Sequence, residues 1–475
     1  MTVVEGIVSC IKYAHPTSES TYFVVGKSGA SLKISSYRSK TELKLGEAFS
    51  AEETGGVLSP VSILSNRNEY EGMTDAFVAS SLKRKPERSG ISQLDRITRK
   101  IEKSLYACAA IMAKKLVMGA PVLVRFHNDA DGSTGAYSLY KSIDEFVARP
   151  EFASKPKIIW KMHRSVMYTL EDSAYDKLMV NQYSSTERPL LVIIDFGTSE
   201  ESNGGYNAIK EKCDVIWLDH HPIKGKIDFV SLPTYINPWQ HGGDSNYTAG
   251  FLAAQLSKFF SDFDAAYMED ASLIGDHSVY ARNTEYGRDL STLLDLLTSD
   301  KSAALGSSDS NLTPYEIDTV ISDEGKSREL VIYANARIKE HVDAAFESMK
   351  RHNTRDADIY VVDFSKVRDG NSSERHPLPG RFASKLLDYI DENKDKPSIL
   401  ILHYGKYISI RINKSLEGTV GLGGIIEGMK EGNKTSIESG GGHETAASIK
   451  LLDESEKRQI LNQLISNLKE KLGKS

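Results

Sequence analysis

The spacing of apolar and polar residues changes several times along this chain, and each change marks a different kind of element. Up to about residue 65 the apolar residues come in short runs: Val3-Val4-Glu5-Gly6-Ile7-Val8, Tyr22-Phe23-Val24-Val25 and Ser31-Leu32-Lys33-Ile34, with Leu45-Gly46-Glu47 as a turn. Runs of that length between turn residues predict β-strands, so residues 1–80 are expected to form a small β-barrel. From Leu94 the period lengthens: Leu94, Ile97, Ile101, Leu105, Cys108 and Met112 recur at helical spacing until Gly119, and Ser92 with Asp95 has the form of a capping box.

Beyond residue 121 continuous apolar runs alternate with helical patterns: Val122-Leu123-Val124, Ile158-Ile159-Trp160, Leu190 to Ile194, and Val215 to Leu218. Uninterrupted runs suit strands buried on both faces, and their alternation with helices predicts βαβ units and a parallel sheet. A further helical stretch over 326–352 leads to strand-like Ile359 to Val362, Ile399 to Leu402 and Tyr407 to Ile410, two glycine-rich segments and a charged final helix. The expected order is therefore a barrel over 1–80, an α/β domain with a parallel sheet over 90–325, a connecting helix over 326–352, and a mixed α/β domain over 353–475.

Length agrees with this division, since 475 residues exceed what one core accommodates. The formal charge of −6 adds a constraint. Any affinity for nucleic acid must come from a local basic surface or from bound cations. Lys83-Arg84-Lys85 and Trp239 are candidate contacts, but a solvated basic loop and a packed core tryptophan are the readier explanations. Cys10, Cys108 and Cys213 stand far apart with no CxxC pair, which argues against a zinc ribbon and for reduced thiols. No apolar run has the length of a membrane span, and no export signal is recognisable, so a cytoplasmic protein is expected.

The chemistry concentrates at predicted strand ends. His127-Asn128-Asp129-Ala130-Asp131-Gly132 follows the strand ending at Phe126. Read as extended backbone, it puts His127, Asp129 and Asp131 on one face; read as a turn, it uses the aspartates to cap a helix. Asp195 closes the run Leu190 to Ile194, and Asp219-His220-His221 closes Val215 to Leu218. Open α/β sheets bind ligands at the carboxyl ends of their strands. Asp276 adds another acid after Leu273-Ile274-Gly275. So many carboxylates in one place would repel one another unless cations neutralised them, and imidazole with carboxylate suits manganese or magnesium. In the last domain Arg411 stands at a strand end and Gly440-Gly441-Gly442-His443 resembles an anion-binding segment, although a flexible turn has the same composition.

In this order HxDxDG, the strand-end Asp195, Asp-His-His, Asp276 and GGGH resemble the DHH/DHHA1 phosphoesterase family, with the match spanning roughly residues 90–475. The layout, including Asn237-Pro238 and Thr248-Ala249-Gly250, is most similar to archaeal RecJ-like exonucleases. The resemblance implies two Mn2+ or Mg2+ ions: one held by His127, Asp129 and Asp195, the other by Asp131, Asp195, His220 and Asp276, with Asp195 as the bridge. It implies that Asp219 orients its neighbouring histidine and that His221 meets the scissile phosphate. Arg411, Gly441, Gly442 and His443 would hold the substrate. The implied activity is two-metal hydrolysis of single-stranded DNA or RNA. Short oligonucleotides or cyclic dinucleotides are alternative substrates, and a third role is a replication scaffold related to the helicase subunit Cdc45, with the GINS complex as partner. The N-terminal segment would be an OB-like barrel, a fold that binds nucleic acid in some proteins and protein in others.

Overall fold

The computed structural model describes residues 2–12, 21–26, 34–39, 44–46, 48–54, 57–64, 67–83, 88–149, 152, 158–307, 309–368, 375–442 and 445–473. The chain forms two compact units, Met1–Leu294 with Asp309–Glu324, and Asp295–Ser308 with Gly325–Ser475.

The first unit opens with β1 (Thr2–Lys12), β2 (Thr21–Gly26), β3 (Ile34–Ser39), β4 (Ala48–Thr54) and β5 (Val57–Leu64). β1 is antiparallel to both β2 and β4, β2 to β3 and β4 to β5, while β3 and β5 run parallel. Ile7, Val8, Val24, Phe49 and Ala51 are buried among these strands. Of the expected third strand only Ile34 is described, and it begins β3; Ser31 to Lys33 lie outside the described residues.

Next come β6 (Val122–His127), β7 (Ile158–His163), β8 (Tyr183–Ser185), β9 (Leu190–Ile194), β10 (Asp214–Leu218) and β11 (Tyr235–Ile236). Five of them build the expected parallel sheet in the order β11-β10-β9-β6-β7. β8 pairs with β1 instead. From β6 the chain steps outward to β7, then returns to the other side of β6 and continues through β9 to β11. The strand order therefore reverses between β6 and β9, and such a switch point opens a crevice at the carboxyl ends of the strands. Helices Ala130–Val147, Ala249–Ser257 and Ala266–Gly275 pack together. A separate core around Tyr168, Tyr206, Trp217 and Phe229 takes in Leu123, Leu191 and Ile193 of β6 and β9.

Helix Ser92–Val117 matches the expected span, but its start differs: no side chain caps it, and Asp95 instead accepts hydrogen bonds from the backbone N–H and hydroxyl of Ser89. Asp95 thus ties down the preceding turn. β6 sends one charge into the interior. Arg125 donates through Nε and Nη2 to Asp176 and through Nη1 to Asp172; its side chain is 3% exposed and that of Asp176 0%. Tyr168 Oη donates to the same Asp176 carboxylate.

The second unit carries β12 (Lys350–Asn353), β13 (Asp358–Asp363), β14 (Ser398–Tyr404), β15 (Tyr407–Ile412), β16 (Ile437–Gly442) and β17 (Ala446–Leu451) in the order β12-β13-β14-β15-β17-β16. Only β13 and β14 are parallel among these described pairings, so the sheet is mixed, as expected. Alternation along β14 fills both faces: Ile399 and Ile401 enter the core with helices Leu422–Gly432 and Lys457–Lys471, Leu400 and Leu402 the core with helices Glu324–Ser348 and Pro379–Glu392. Gly440 to Gly442 belong to edge strand β16 and are not a loop. Among the described residues no helix is long and apolar enough to cross a membrane.

Candidate metal centre

β6, β9 and β10 end side by side, and each delivers part of one acidic and imidazole cluster. β6 ends at His127, whose Nδ1 lies 2.8 Å from Asp129 Oδ2 and 3.6 Å from Asp195 Oδ2. Asp195 directly follows β9. Its other oxygen, Oδ1, lies 3.3 Å from His220 Nε2. His220 Nε2 is in turn 3.1 Å from Asp276 Oδ2 and 3.7 Å from Asp131 Oδ2. The predicted ligands come together as two groups, His127 with Asp129 and Asp195, and Asp131 with His220 and Asp276, and a third group with the same spacing, Asp195, Asp219, His220 and His221, overlaps both. Asp195 turns one oxygen towards each of the first two.

The local backbone differs from the extended reading of HxDxDG. The strand stops at His127; Asp129 is the N-cap of helix Ala130–Val147, its Oδ1 accepting from Gly132 N–H, and Asp131 lies in the first helical turn. Capping and clustering are compatible because one Asp129 oxygen serves the helix and the other faces His127. Gly132 is required by this tight entry. A Cβ there would lie 2.5 Å from the His127 carbonyl oxygen and 2.6 Å from its nitrogen. Backbone atoms cannot swing aside, so Gly132→Ala is expected to cost about 3 kcal/mol, at the upper end of overpacking penalties. A lowered urea midpoint at unchanged slope would show it, and an unmoved midpoint would contradict it.

Asp131 is fully buried at the N-terminus of helix Ala249–Ser257, where Ala249 N–H and Gly250 N–H donate to its two oxygens at 2.9 and 2.8 Å. Ser272 donates to it as well and is hydrogen-bonded to Thr248. Asp219 is saturated differently: Oδ1 receives the N–H groups of His220 and His221 and faces His221 Nδ1 at 2.7 Å, while Oδ2 receives Thr198 N–H and Oγ1. Both Asp219 oxygens are thus engaged by hydrogen-bond donors. Sequence reading missed Thr198 and Ser272; Ser272 had a signal, since it precedes Asp276 by one helical turn. Asn237, noted without a role, donates to the His221 carbonyl.

Electrostatics show how much the cluster needs positive charge. Burial pushes Asp131 well above the usual carboxylate range, and Asp195 and Asp276 push it further; burial and Asp129 raise Asp195. Burial alone would lower His127 and His220, but the surrounding aspartates outweigh it and hold both imidazoles well above their ordinary range. For Asp219 burial is outweighed by His221 and its hydrogen-bond donors, which hold it well below the usual range. Asp195 Oδ1 and His220 Nε2 are buried atoms lacking a well-formed hydrogen bond. His220 Nδ1 lies 2.7 Å from the Ser245 carbonyl, so this nitrogen donates and Nε2 is left facing the acids. This donor set fits divalent cations.

Because the surrounding aspartates favour the protonated forms of His127 and His220, a metal binding there has to displace protons. Mn2+ affinity is therefore expected to rise between pH 6 and pH 8, with proton release visible by calorimetry in buffers of different ionisation enthalpy. Affinity independent of pH would contradict this account of the site.

Residues 121–274 match the model of the DHH family, N-terminal domain. This segment belongs to the DHH family. The match begins one residue before β6 and ends two residues before Asp276, so it takes in His127, Asp129, Asp131, Asp195 and His220 but not Asp276. An uncharacterized protein of Methanocaldococcus jannaschii is 24% identical over 418 residues, covering 75% of this chain and 53% of the relative, so the chain spans about half that protein's length. Among solved structures, a DHH-domain protein described as a member of the S1p family of ribosomal proteins superposes with a TM-score of 0.71 at 19% identity, covering 86% of this chain and 98% of the other. That likeness concerns the fold. RecJ of Thermus thermophilus in complex with Mn2+ gives a TM-score of 0.48 at 14% identity, covering 77% of this chain and 55% of that one.

In the second unit Arg411 lies within β15, opposite Ala446 of β17, and Gly442 of β16 pairs with Ala447. Arg411 and the glycine strand are thus neighbours across one strand. The guanidinium donates to Ser384 Oγ, Ser409 Oγ and the carbonyls of Ile410 and Gly380. Gly441 is exposed. Gly442 has a φ of 153°, and a Cβ there would meet the Ala446 carbonyl oxygen at 2.2 Å. His443 lies outside the described residues, as do Arg84 and Lys85; Lys83 is paired with Asp262.

Proposed function

We propose that the chain is a metal-dependent phosphoesterase that hydrolyses phosphodiester bonds of single-stranded nucleic acid in the manner of RecJ-like exonucleases. The observation that carries this reading is the pair of ligand groups joined through the two oxygens of Asp195. His127, Asp129 and Asp195 would hold one Mn2+ or Mg2+, and Asp131, Asp195, His220 and Asp276 the other. Bound there, the ions would lower the pKa of a water nucleophile and neutralise charge on phosphate oxygens.

The protein's own part is positioning. Asp219 fixes the His221 ring through Nδ1, and we assign His221 to a phosphate oxygen. Helix Ala249–Ser257 and Ser272 fix Asp131. We assign Arg411, Gly441, Gly442 and His443 to substrate phosphate, since Arg411 and the exposed glycine edge share one sheet. The pairings β1-β2-β3-β5-β4 and back to β1 support reading the first five strands as a closed OB-like barrel, a fold suited to a strand longer than a dinucleotide.

The test is a time course on end-labelled single-stranded DNA and RNA with Mn2+ and with EDTA. Metal-dependent release of mononucleotides is expected. Preference for a dinucleotide over a long strand would replace the RecJ-like reading by one of short substrates. Absence of both turnover and Mn2+ binding would leave a scaffold.

A further inference from the structure

We propose that Trp239 is the stacking platform for a nucleobase adjoining the scissile phosphate, an inference that rests on the strand-phosphoesterase reading above. The chain has 3 tryptophans. Trp217 is fully buried and stacked on Phe229 at 3.8 Å. Trp239 is 42% exposed, the opposite of a packed core residue. Its exposure does not serve its polar atom, because the indole N–H is already bonded within the protein, to the His220 carbonyl at 3.1 Å and to Ser245 Oγ at 3.2 Å. What water meets is ring surface, which is costly to leave exposed and is the surface a base would cover.

That ring is held at the metal centre. The carbonyl receiving the indole N–H belongs to His220, whose Nε2 faces Asp195 and Asp276, and Ser245 donates to the same carbonyl. The segment carrying Trp239 is fastened at several points. Asn237 accepts from Trp239 N–H and donates to the His221 carbonyl, Gln240 donates to the Val230 carbonyl, and Gly243 N–H donates to the Pro238 carbonyl. A platform fixed in advance gives up little freedom when a base lies on it. Lys100, exposed on helix Ser92–Val117, donates to the His241 carbonyl and so puts a positive charge on the same segment, where a phosphate backbone would run. Stacking is sequence-tolerant because every base has a face, so the ligand class is a nucleobase of any identity.

The test compares a thymidine oligonucleotide with the same strand carrying abasic residues at both ends. With the full-length protein in EDTA, the normal strand is expected to quench tryptophan emission more than the abasic-ended one, and Trp239→Phe to abolish that difference. With Mn2+, the ratio of kcat/KM between the two strands is expected to fall about tenfold in Trp239→Ala and to be largely kept in Trp239→Phe, since stacking contributes about 1–3 kcal/mol per base and tenfold is about 1.4 kcal/mol. A merely structural indole would behave otherwise. Trp239→Phe and Trp239→Ala would then both impair the two strands equally, with Mn2+ affinity reduced, and the proposal would be overturned. Equal quenching by both strands would overturn it too. If the parent protein hydrolyses neither strand, the phosphoesterase reading fails, while the quenching comparison still decides the role of Trp239.

Discussion

An Asp195→Asn protein is expected to lose Mn2+-dependent strand hydrolysis by on the order of 10³-fold, as when a charge-stabilising group is removed from a reacting centre, and yet to melt at a higher temperature than the parent in EDTA. Both effects follow from one position. Asp195 is 2% exposed, faces both ligand groups, and is pushed up from the usual carboxylate range by burial and by Asp129. A carboxyl whose folded pKa is raised loses stability as pH rises past its unfolded value, so above that value Asp195 weakens the metal-free fold. The amide removes that charge and with it the shared ligand. Adding Mn2+ should raise the parent's melting temperature, by about 2.7 kcal/mol of stability at a hundredfold excess over Kd, and should raise the variant's far less. A variant that keeps its hydrolysis rate would remove Asp195 from the centre.

Asp176→Ala is expected to destabilise the fold by about 3–5 kcal/mol, the usual cost of leaving a buried charge without its partner. Arg125 would keep its Nη1 bond to Asp172, a carboxylate 20% exposed, and the long Nη2 bond to the Asp172 carbonyl, while Nε, bonded to Asp176, would lose its acceptor. The damage should reach the metal centre. Arg125 Nη1 also lies 3.3 Å from His163 Nδ1, and the His163 ring stacks at 4.0 Å on Phe196, the residue after Asp195. Urea unfolding of Asp176→Ala beside Arg125→Met/Asp176→Leu provides the check. The double variant should recover much of the loss, because an apolar pair leaves no orphaned charge. Equal losses in both would mean that packing rather than charge dominates.

Much of the segment matching the DHH family was legible because β9 and β10, and most of β6, are buried and read as apolar runs, each ending at a residue of the cluster. Asp195 and Asp-His-His could be placed from that alone. HxDxDG was legible in content but not in shape, since a strand that passes straight into a helix N-cap has the same residue order as an extended segment. What the sequence hid depends on distant parts of the chain meeting. Thr198 reaches Asp219 and Ser272 reaches Asp131 across 21 and 141 residues. The placement of Gly440 to Gly442 in a strand was hidden for another reason: glycine composition signals turns, and only the partner strand β17 makes an edge strand of it. Asp95 misled locally, as its carboxylate serves the turn at Ser89.

The pairing of β8 with β1 ties the start of the chain to the metal centre. β8 ends five residues before β9, and Cys10, Ile11 and Lys12 of β1 lie opposite Ser185, Ser184 and Tyr183. A truncated protein beginning at residue 90 would therefore not simply lack an accessory domain. It would bare a hydrogen-bonding edge on the segment leading to Asp195, and such edges recruit strands from other molecules. Loss of solubility on trimming would then report a missing neighbour of the segment that leads into the parallel sheet.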